Sequence, residues 1–421
     1  MESAAGDNRE EIIRLMLSQL SAYGYSNLSQ AVATHTKVAM TTESSSRLAE
    51  LVSAGLRSEG SRQPGAEADA EMASEQGAEA EAEAEGGLDL SPAAHEGRAA
   101  AAPLPHYSTW YMTRHKDAAT AAAFSRDGRY IATGSADASL KLIEVDRVRE
   151  PQAGSARPED KPVIRTLYHH QAPITGVAFH PNGLVLASCA ADRSIKLFDL
   201  SAAYGKYAFQ SFGDCHAYRS IAFHPSGEWL AAGGDGCEVR VYSVATGKAF
   251  LLGTGARHAA AVTRVSYAAS GALVASASRD GTVKLWDGAS GKCARTLDRA
   301  HGGQAATSVA LSRNAKYALT TGLDSRVCLW EVGSGRLVHA YEGAATDSGC
   351  AQAVFSSDEA LVLVADSRLN DVVAWDAASG RLVGRCAPHK KQITCVAPSP
   401  TTAAFMTCSA DECVRFWGAD G

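Results

Sequence analysis

Seven hydrophobic anchor residues recur along the chain at nearly constant spacing, and this periodicity limits the possible folds more than any other feature. The intervals between successive anchors are 55, 44, 44, 44, 45 and 42 residues. The longer first interval contains a polar insertion at 147–162, which predicts a loop. A repeated unit therefore occupies most of the 421 residues, in place of two or three unrelated domains. The anchors are Ile143, Phe198, Tyr242, Trp286, Trp330, Trp375 and Trp417.

Each repeat contains short runs in which apolar and polar residues alternate, separated by turn dipeptides such as Asn182-Gly183 and Asp280-Gly281. This alternation predicts β-strands, and the dipeptides predict the turns between them. Repeats of about 40–45 residues with an early His and a late Trp-Asp resemble WD repeats, which form four-stranded blades. The predicted fold class is an all-β seven-bladed WD-repeat propeller at 106–421. A small α-helical dimerisation domain and a disordered acidic linker are predicted to precede it.

The propeller needs a device for closure, because an open ring would expose an unpaired strand edge. Trp417 lies four residues before the end of the sequence, so the seventh repeat has no outermost strand of its own. The strand-like segment YSTWYMT at 107–113 precedes His115 by the spacing expected of a fourth strand. We therefore expect 107–113 to pair with 412–416 and to close the ring.

Five repeats carry a His, a Ser or Thr and an Asp at matching positions, and three of these also carry the Trp. This set resembles a nucleophilic triad, but an active site needs such a set once. Within WD repeats these residues form a hydrogen-bond network that fixes the Asp turn to the third strand. We therefore predict a structural network and a protein that is not an enzyme, with no catalytic, cofactor-binding or metal-binding residues. The network residues are His115, Thr133, Asp137, His170, Ser188, Asp192, His258, Ser276, Asp280, Trp286, His301, Thr320, Asp324, Trp330, His389, Thr407, Asp411 and Trp417.

Three repeats depart from this pattern. The first has Ile143 in place of the Trp, and the third has its turn Asp one residue early, at Asp235. The sixth lacks the His and has Leu369 in place of the turn Asp. We expect blade 6 to be the least rigid blade.

Residues 1–58 are predicted to form three short helices. Fewer than 60 residues make a poor independent core, so we expect dimerisation to bury the remaining apolar stripe. The segment IIRLMLSQLSAYGYSNLSQAV resembles the LisH dimerisation motif. A monomeric mini-bundle that docks on the rest of the chain is the alternative. The predicted interface consists of Ile12, Ile13, Met16, Leu17, Leu20, Leu48, Leu51 and Val52.

The acidic residues are concentrated between these two parts. Residues 59–98 contain 11 acidic and 2 basic residues, whereas residues 99–421 contain 29 acidic and 33 basic residues. The tract at 59–105 has no β-branched or aromatic residue, which predicts a disordered linker. A solvated tether is the favoured interpretation, and an acidic ligand for a basic partner is the alternative.

Composition excludes several classes of protein. The net charge of −6 argues against a dominant basic surface for nucleic acid. The ten cysteines include no CxxC pair, so we expect reduced thiols and no zinc site. The acidic N-terminus has no apolar signal region, and no apolar run is long enough for a membrane span.

Loops on one propeller face carry the candidate partner site. Lys116, Lys390 and Lys391 directly follow the repeat His in blades 1 and 7, which ring closure makes neighbours. Arg279 precedes the turn Asp of blade 4 and is expected on the same face. Such a patch suits acidic protein segments or phosphates, and ordinary solvated loop charge is the alternative.

The order of segments resembles the family of WD-repeat subunits (subunit 1) of cleavage stimulation factor, which acts in pre-mRNA 3′-end processing. The resemblance lies in RLMLSQLSAYGYSNL and RLAELVSAGL at the N-terminus, and in FSRDGRYIATGSADASLKL, SRDGTVKLWDG and FMTCSADECVRFW in the repeats. It implies a nuclear scaffold that dimerises through its N-terminal helices and binds the HAT-repeat subunit through the propeller. It further implies that the RRM-containing subunit reads the RNA, so that any RNA contact of this chain is accessory.

Two other functions stay open from the sequence alone. One is a LisH-plus-propeller adaptor for a ubiquitin ligase or a cytoskeletal complex. The other is an enzyme, which is disfavoured because no singular reactive constellation occurs. No membrane partner is expected.

Overall fold

The computed structural model describes residues 88–90, 104–149, 162–201, 207–253, 255–347 and 349–419. The chain divides into two units, Met1–Gln76 and Gly77–Gly421, and all described residues belong to the second. The predicted helical domain at 1–58 and its interface residues therefore lie outside the described residues. Within the described ranges, no helix is long and apolar enough to cross a membrane.

The described residues form seven antiparallel sheets of four strands each, which confirms the predicted seven-bladed propeller. Blade 1 consists of β2 (Ala119–Phe124), β3 (Tyr130–Ser135), β4 (Leu140–Glu144) and β5 (Val163–Leu167), with helix α1 (Asp146–Arg149) after β4. Blade 2 consists of β6 (Ile174–Phe179), β7 (Val185–Ala190), β8 (Ser194–Asp199) and β9 (Gln210–Gly213). Blade 3 consists of β10 (Tyr218–Phe223), β11 (Trp229–Gly234), β12 (Val239–Ser243) and β13 (Ala249–Leu251).

The remaining blades repeat this arrangement. Blade 4 consists of β14 (Val262–Tyr267), β15 (Leu273–Ser278), β16 (Val283–Asp287) and β17 (Cys293–Leu297). Blade 5 consists of β18 (Ala306–Leu311), β19 (Tyr317–Gly322), β20 (Val327–Glu331) and β21 (Leu337–Tyr341). Blade 6 consists of β22 (Ala353–Phe355), β23 (Leu361–Ala365), β24 (Val372–Asp376) and β25 (Leu382–Cys386). Blade 7 consists of β26 (Ile393–Pro398), β27 (Ala404–Ser409), β28 (Cys413–Ala419) and β1 (Tyr107–Arg114).

The hydrophobic core lies between adjacent blades. One cluster, for example, joins Leu363 and Ala374 of blade 6 to Phe405 and Trp417 of blade 7. The anchor residues pack in these layers. Trp330 is partly buried, whereas Ile143, Phe198, Trp286 and Trp375 are at most 1% exposed. The anchors recur because each blade must present one large side chain to its neighbour, and close packing tolerates few voids there.

The outermost strand of blade 7 comes from the N-terminal side of the propeller. β1 pairs antiparallel with β28, from Tyr107 opposite Ala419 to Arg114 opposite Cys413, with one irregularity between Thr109 and Tyr111. The amide of His115 extends the pairing by donating to the Glu412 carbonyl at 2.9 Å. The first and last strands of the propeller thus share one sheet, so no edge of β28 is left unpaired.

The described parts of the predicted linker, 88–90 and 104–105, contact the propeller through Leu88, Leu90 and Leu104. The side chain of Leu88 is 3% exposed and packs in a cluster formed by blades 5 and 6. The amide of Leu88 donates to Glu359 Oε2 at 2.8 Å, and Asn314 Nδ2 donates to the Leu88 carbonyl at 2.8 Å. The amide of Leu90 donates to the Tyr317 hydroxyl at 3.2 Å. The prediction of a disordered linker over 59–105 therefore does not hold for 88–90, because specific apolar and polar partners on the propeller order this stretch.

Candidate functional site

The repeated polar set forms one hydrogen-bonded chain in each blade that carries it. In blade 4, Trp286 Nε1 donates to Ser276 Oγ at 2.8 Å, and Ser276 Oγ lies 2.8 Å from His258 Nε2. On the other side of the imidazole ring, His258 Nδ1 lies 3.2 Å from Asp280 Oδ2. A neutral imidazole with its proton on Nδ1 satisfies all of these partners at once. Asp280 in turn accepts the backbone amides of Ala259 and Thr282, so the chain fixes the turn to the strands.

The other four blades with this set repeat these contacts, except that blades 1 and 2 have no Trp and blade 1 has no direct His–Asp hydrogen bond. The His Nε2 atom contacts a Ser or Thr hydroxyl in His115–Thr133 (2.9 Å), His170–Ser188 (2.7 Å), His301–Thr320 (3.0 Å) and His389–Thr407 (2.6 Å). The His Nδ1 atom contacts the turn carboxylate in His170–Asp192 (2.8 Å), His301–Asp324 (3.0 Å) and His389–Asp411 (3.1 Å). The indole donates to the hydroxyl in Trp330–Thr320 (2.9 Å) and Trp417–Thr407 (2.8 Å).

In blade 1 the series of hydrogen bonds differs from that of the other blades. His115 Nδ1 contacts Ser139 Oγ at 2.9 Å, and Asp137 lies farther away, at 3.9 Å. Asp137 accepts the amides of Ser139 and Lys116 at 2.8 and 2.9 Å. The side chain of Ile143 has no N–H group, so Thr133 receives no hydrogen bond of the kind that the Trp indole donates in blades 4, 5 and 7. A Ser hydroxyl thus connects the His to the Asp turn.

Burial keeps the network histidines uncharged. It lowers the pKa of His115 to about 4, helped by the charge of Lys141 and only partly opposed by Asp137. Burial likewise lowers the pKa values of His170, His258, His301 and His389, although their Asp partners oppose this effect. These groups therefore hold structure as neutral hydrogen-bond partners, and a fivefold repeat of them is typical of an architectural role.

We predict that Thr407→Val destabilises the propeller by about 2–4 kcal/mol. The substitution keeps the shape of the side chain but removes the partner of both His389 Nε2 and Trp417 Nε1, which stay buried. Urea unfolding measures the loss. Thr401→Val is the matched control, because Thr401 lies exposed in the same blade, and its free energy of unfolding should change by less than about 0.5 kcal/mol. Equal values for the two variants would contradict the network.

Blade 6 has a different polar cluster in place of the missing set. Arg385 Nη1 lies 2.9 Å from both Asp366 Oδ2 and Asp371 Oδ1. Burial alone would raise the pKa of Asp366, but the Arg368 amide and the Arg385 guanidinium outweigh it and lower the pKa. The Trp375 indole donates to the Glu342 carbonyl at 3.2 Å. The position of the missing turn Asp, Leu369, is exposed. No measurement yet tests the prediction that this blade is the least rigid.

Blade 3 also has a polar cluster that differs from the repeated His network. The Tyr218 and Tyr242 hydroxyls lie 2.5 Å apart, and Arg240 pairs with Asp214 at 2.9 Å. Asp214, Cys215 and His216 form the one group in the described residues whose ligand atoms are close enough for a metal, within 4.8 Å of one another. Because Arg240 already neutralises Asp214, and Cys215 and His216 are exposed, we assign no metal to this group.

A ring of threonines surrounds one mouth of the central channel. Each lies at an irregular register position near the start of an inner strand, where a bulge re-aims the side chain. Its hydroxyl donates to a carbonyl of the next blade, and this ties the blades together. The bonds are Thr120 to Ile174 (2.5 Å), Thr175 to Tyr218 (2.8 Å), Thr263 to Ala306 (2.8 Å), Thr307 to Ala351 (3.0 Å) and Thr394 to Ala119 (2.5 Å).

Blades 3 and 6 interrupt this ring. Arg219 lies at the bulge position of blade 3, and Gln352 precedes the inner strand of blade 6. Arg219, Arg264, Arg279 and Gln352 line a cavity of about 230 Å³ at this mouth. Of these residues the sequence predicted only Arg279 as a face residue. Arg264 lies in the same blade as Arg279, on the adjacent strand, and the packing of blade 3 on blade 4 brings Arg219 to the same cavity.

The other predicted face residues lie on the same rim. Lys116, Lys390 and Lys391 are exposed, in the loops that lead into β2 and β26. The backbone amide of Lys116 donates to Asp137, and that of Lys390 donates to Asp411 at 3.2 Å. β2 packs against β26, so the loops that carry these lysines belong to neighbouring blades. Whether they contact a partner stays a prediction.

Comparison with known proteins defines the class first. The model "WD domain, G-beta repeat" matches residues 107–144, 161–199, 209–243, 251–287, 291–331 and 380–418, more than half of the chain. The chain therefore belongs to the WD-repeat family. These matches leave out most of blade 6, where the polar set is replaced.

A second family model is more specific. "Cleavage stimulation factor subunit 1, dimerisation domain" matches residues 7–60. "Cleavage stimulation factor subunit 50" of Arabidopsis thaliana is 34% identical over 225 residues, which are 52% of this chain and 51% of that protein. The chain thus spans about half the length of this relative. The protein is a WD-repeat protein similar to subunit 1 of cleavage stimulation factor, as the sequence resemblance predicted.

Two further relatives match shorter stretches of the chain. "WD repeat and HMG-box DNA-binding protein 1" of Xenopus laevis is 32% identical over 90 residues, which are 21% of this chain and 7% of that protein. "Telomerase protein component 1" of Mus musculus is 25% identical over 110 residues, which are 26% of this chain and 4% of that protein. These likenesses are too short to carry a function.

Proposed function

We propose that this protein is a non-catalytic scaffold subunit of a cleavage stimulation factor complex in pre-mRNA 3′-end cleavage and polyadenylation. The observation that carries the proposal is the combination, in one chain, of the subunit 1 dimerisation-domain match at 7–60 with a seven-bladed propeller. The repeated His network supports a non-catalytic role, because it joins the strands and turns within each of the five blades that carry it.

Dimerisation is the first function of this scaffold. The dimerisation-domain match supports a homodimer, and we assign its interface to the apolar positions Ile12, Ile13, Met16, Leu17 and Leu20, together with Leu48, Leu51 and Val52. A homodimer presents two identical propellers, so each partner subunit is bound twice. Two linked sites raise the effective concentration of the partners, without any new contact.

Partner binding is the second function. We assign the HAT-repeat and RRM-containing subunits of the complex as partners, with the propeller loops as the docking surface. Loops on a rigid scaffold are where binding residues concentrate. The RRM-containing subunit would read the RNA, and RNA contact by this chain would be accessory. The proposed location is the nucleus, reached together with a partner.

Co-purification tests this proposal. The tagged full chain, added to nuclear extract, should retain polyadenylation-factor subunits, and Leu17→Arg should convert the dimer to a monomer in analytical ultracentrifugation. Gln19→Arg is the matched control, because Gln19 lies off the apolar stripe predicted from the sequence, and this variant should stay dimeric. Recovery of ubiquitin-ligase or motor components instead would refute the proposed complex. A wild-type monomer would refute the dimer.

A further inference from the structure

The arginine cavity at the channel mouth has positive charge without a balancing carboxylate. Arg219, Arg264 and Arg279 line it, and no Asp or Glu is among its described lining residues. Arg219 pairs outside the cavity with Asp235 at 2.6 Å, but this pair is partly exposed and therefore weak. Arg264 and Arg279 have no ion pair or hydrogen bond with a described side chain. Concentrated positive charge in a concave site favours an anion.

Arg219 of blade 3 and Arg279 of blade 4 line this cavity together with Cys350. Partial burial raises the pKa of the Cys350 thiol, and both arginines act to lower it. One further observation indicates a ligand. Gln352 Oε1 is buried in the cavity wall and has no hydrogen-bond donor. A buried acceptor without a partner is costly, and a donor from a bound molecule would satisfy it. The cavity thus offers guanidinium donors for an anion and one acceptor for an N–H group.

This combination selects a class of ligand. A phosphate dianion has three strong acceptor oxygens, and planar guanidinium groups bind such oxygens in pairs. A peptide backbone also supplies the N–H group that Gln352 lacks. No aromatic side chain lines the cavity, so it has no platform for the stacking that single-stranded RNA binding uses. A cavity of about 230 Å³ is large enough for one phosphorylated side chain.

We propose that this cavity binds the phosphoserine or phosphothreonine side chain of a partner peptide. Arg219, Arg264 and Arg279 donate hydrogen bonds to the phosphate, and Gln352 Oε1 accepts one from a peptide N–H. The site is formed by the propeller alone. It goes beyond the scaffold function and does not depend on which complex contains the chain.

A defined peptide library tests the proposal. The full chain is immobilised and offered peptides in which one phosphoserine or phosphothreonine is flanked by randomised residues, next to the same library without phosphate. The best phosphopeptide is then measured by fluorescence anisotropy. We expect at least tenfold tighter binding of this peptide than of its unphosphorylated form. Arg264→Gln and Arg279→Gln should each weaken binding about tenfold or more.

Control variants separate the site from general charge and from folding. Arg336→Gln removes another exposed charge, from the turn between β20 and β21 at the opposite end of blade 5, and should leave affinity unchanged. Arg279 is exposed, so its variant should keep the wild-type melting temperature even if Arg264→Gln does not. Equal binding with and without phosphate would overturn the proposal. So would equal affinity in the Arg279 and Arg336 variants, or an oligouridine RNA that binds with the same arginine dependence and displaces the peptide.

Discussion

Deletion of residues 1–114 is expected to lower the melting temperature of the propeller by more than 10 °C and to cause aggregation. The deletion removes β1 and leaves β28 with an unpaired edge, which is a template for intermolecular pairing. It also removes two aromatic contacts, Tyr107 with Phe405 at 4.9 Å and Trp110 with Phe416 at 5.7 Å between ring centroids. Because blade 7 packs on blades 1 and 6, the loss spreads beyond one sheet.

Deletion of residues 1–103 is the matched control, since it keeps β1 and Leu104. It removes the docked residues 88–90, so a fall of a few degrees is expected, in line with burial of one leucine side chain. When a synthetic peptide of residues 104–114 is added to the protein that lacks residues 1–114, it should reverse part of the fall in melting temperature. Melting temperatures within 3 °C of each other for the two deletions would show that β1 does not close the ring.

The fold was predictable from the sequence because the pattern of anchor residues and turns recurs in every blade. Each blade must bury a large anchor and turn after a fixed number of residues, so Trp286, Trp330 and Trp375 recur at intervals of 44 and 45 residues. Any single repeat could be misread, but seven consecutive repeats specify one architecture. The closing strand followed from the same count, since the seventh repeat lacked its fourth strand.

Other features could not be predicted because they have no periodic signal. The Arg385 cluster of blade 6 uses positions outside the repeat pattern, so the sequence shows only what is missing there. Leu88 and Leu90 lie next to an Ala/Glu tract whose composition alone indicates disorder. Arg219 and Arg264 are 45 residues apart, and only the ring brings them to one cavity. The contacts that are unique to one blade are thus found where the sequence departs from the repeat pattern.

Acidification from pH 7.5 to pH 5.0 is expected to lower the free energy of unfolding by more than 2 kcal/mol through the network histidines. Each is neutral in the folded protein, with a pKa below the value of about 6.5 that it has when unfolded. Above pH 6.5 neither state is protonated, so stability is constant there. Below it the unfolded chain takes up protons that the folded chain does not, so stability falls until the folded pKa is reached.

His115 alone sets the minimum size of this effect. Its folded pKa of about 4 places the whole interval from pH 6.5 to pH 5.0 in the sensitive range, which corresponds to about 2 kcal/mol. His170, His258, His301 and His389 add to it in the same direction. The turn carboxylates Asp137, Asp192, Asp280 and Asp411 have lowered pKa values, so their contribution is lost only below pH 3.8 and leaves this window unaffected.

Urea unfolding at pH 7.5, 6.5, 5.5 and 5.0 measures the effect, and its slope gives the number of protons taken up on unfolding. We expect an uptake of well above one proton near pH 5.5, since several histidines titrate together. His216→Gln is the control, because His216 is exposed and outside the network, so its removal should leave the free energy of unfolding at pH 7.5 unchanged. His115→Gln should destabilise the protein at pH 7.5 and reduce the uptake by about one proton. A stability that does not change between pH 6.5 and pH 5.0 would mean that the network histidines are charged in the folded protein, and that the turns are then held by ion pairs with the Asp residues.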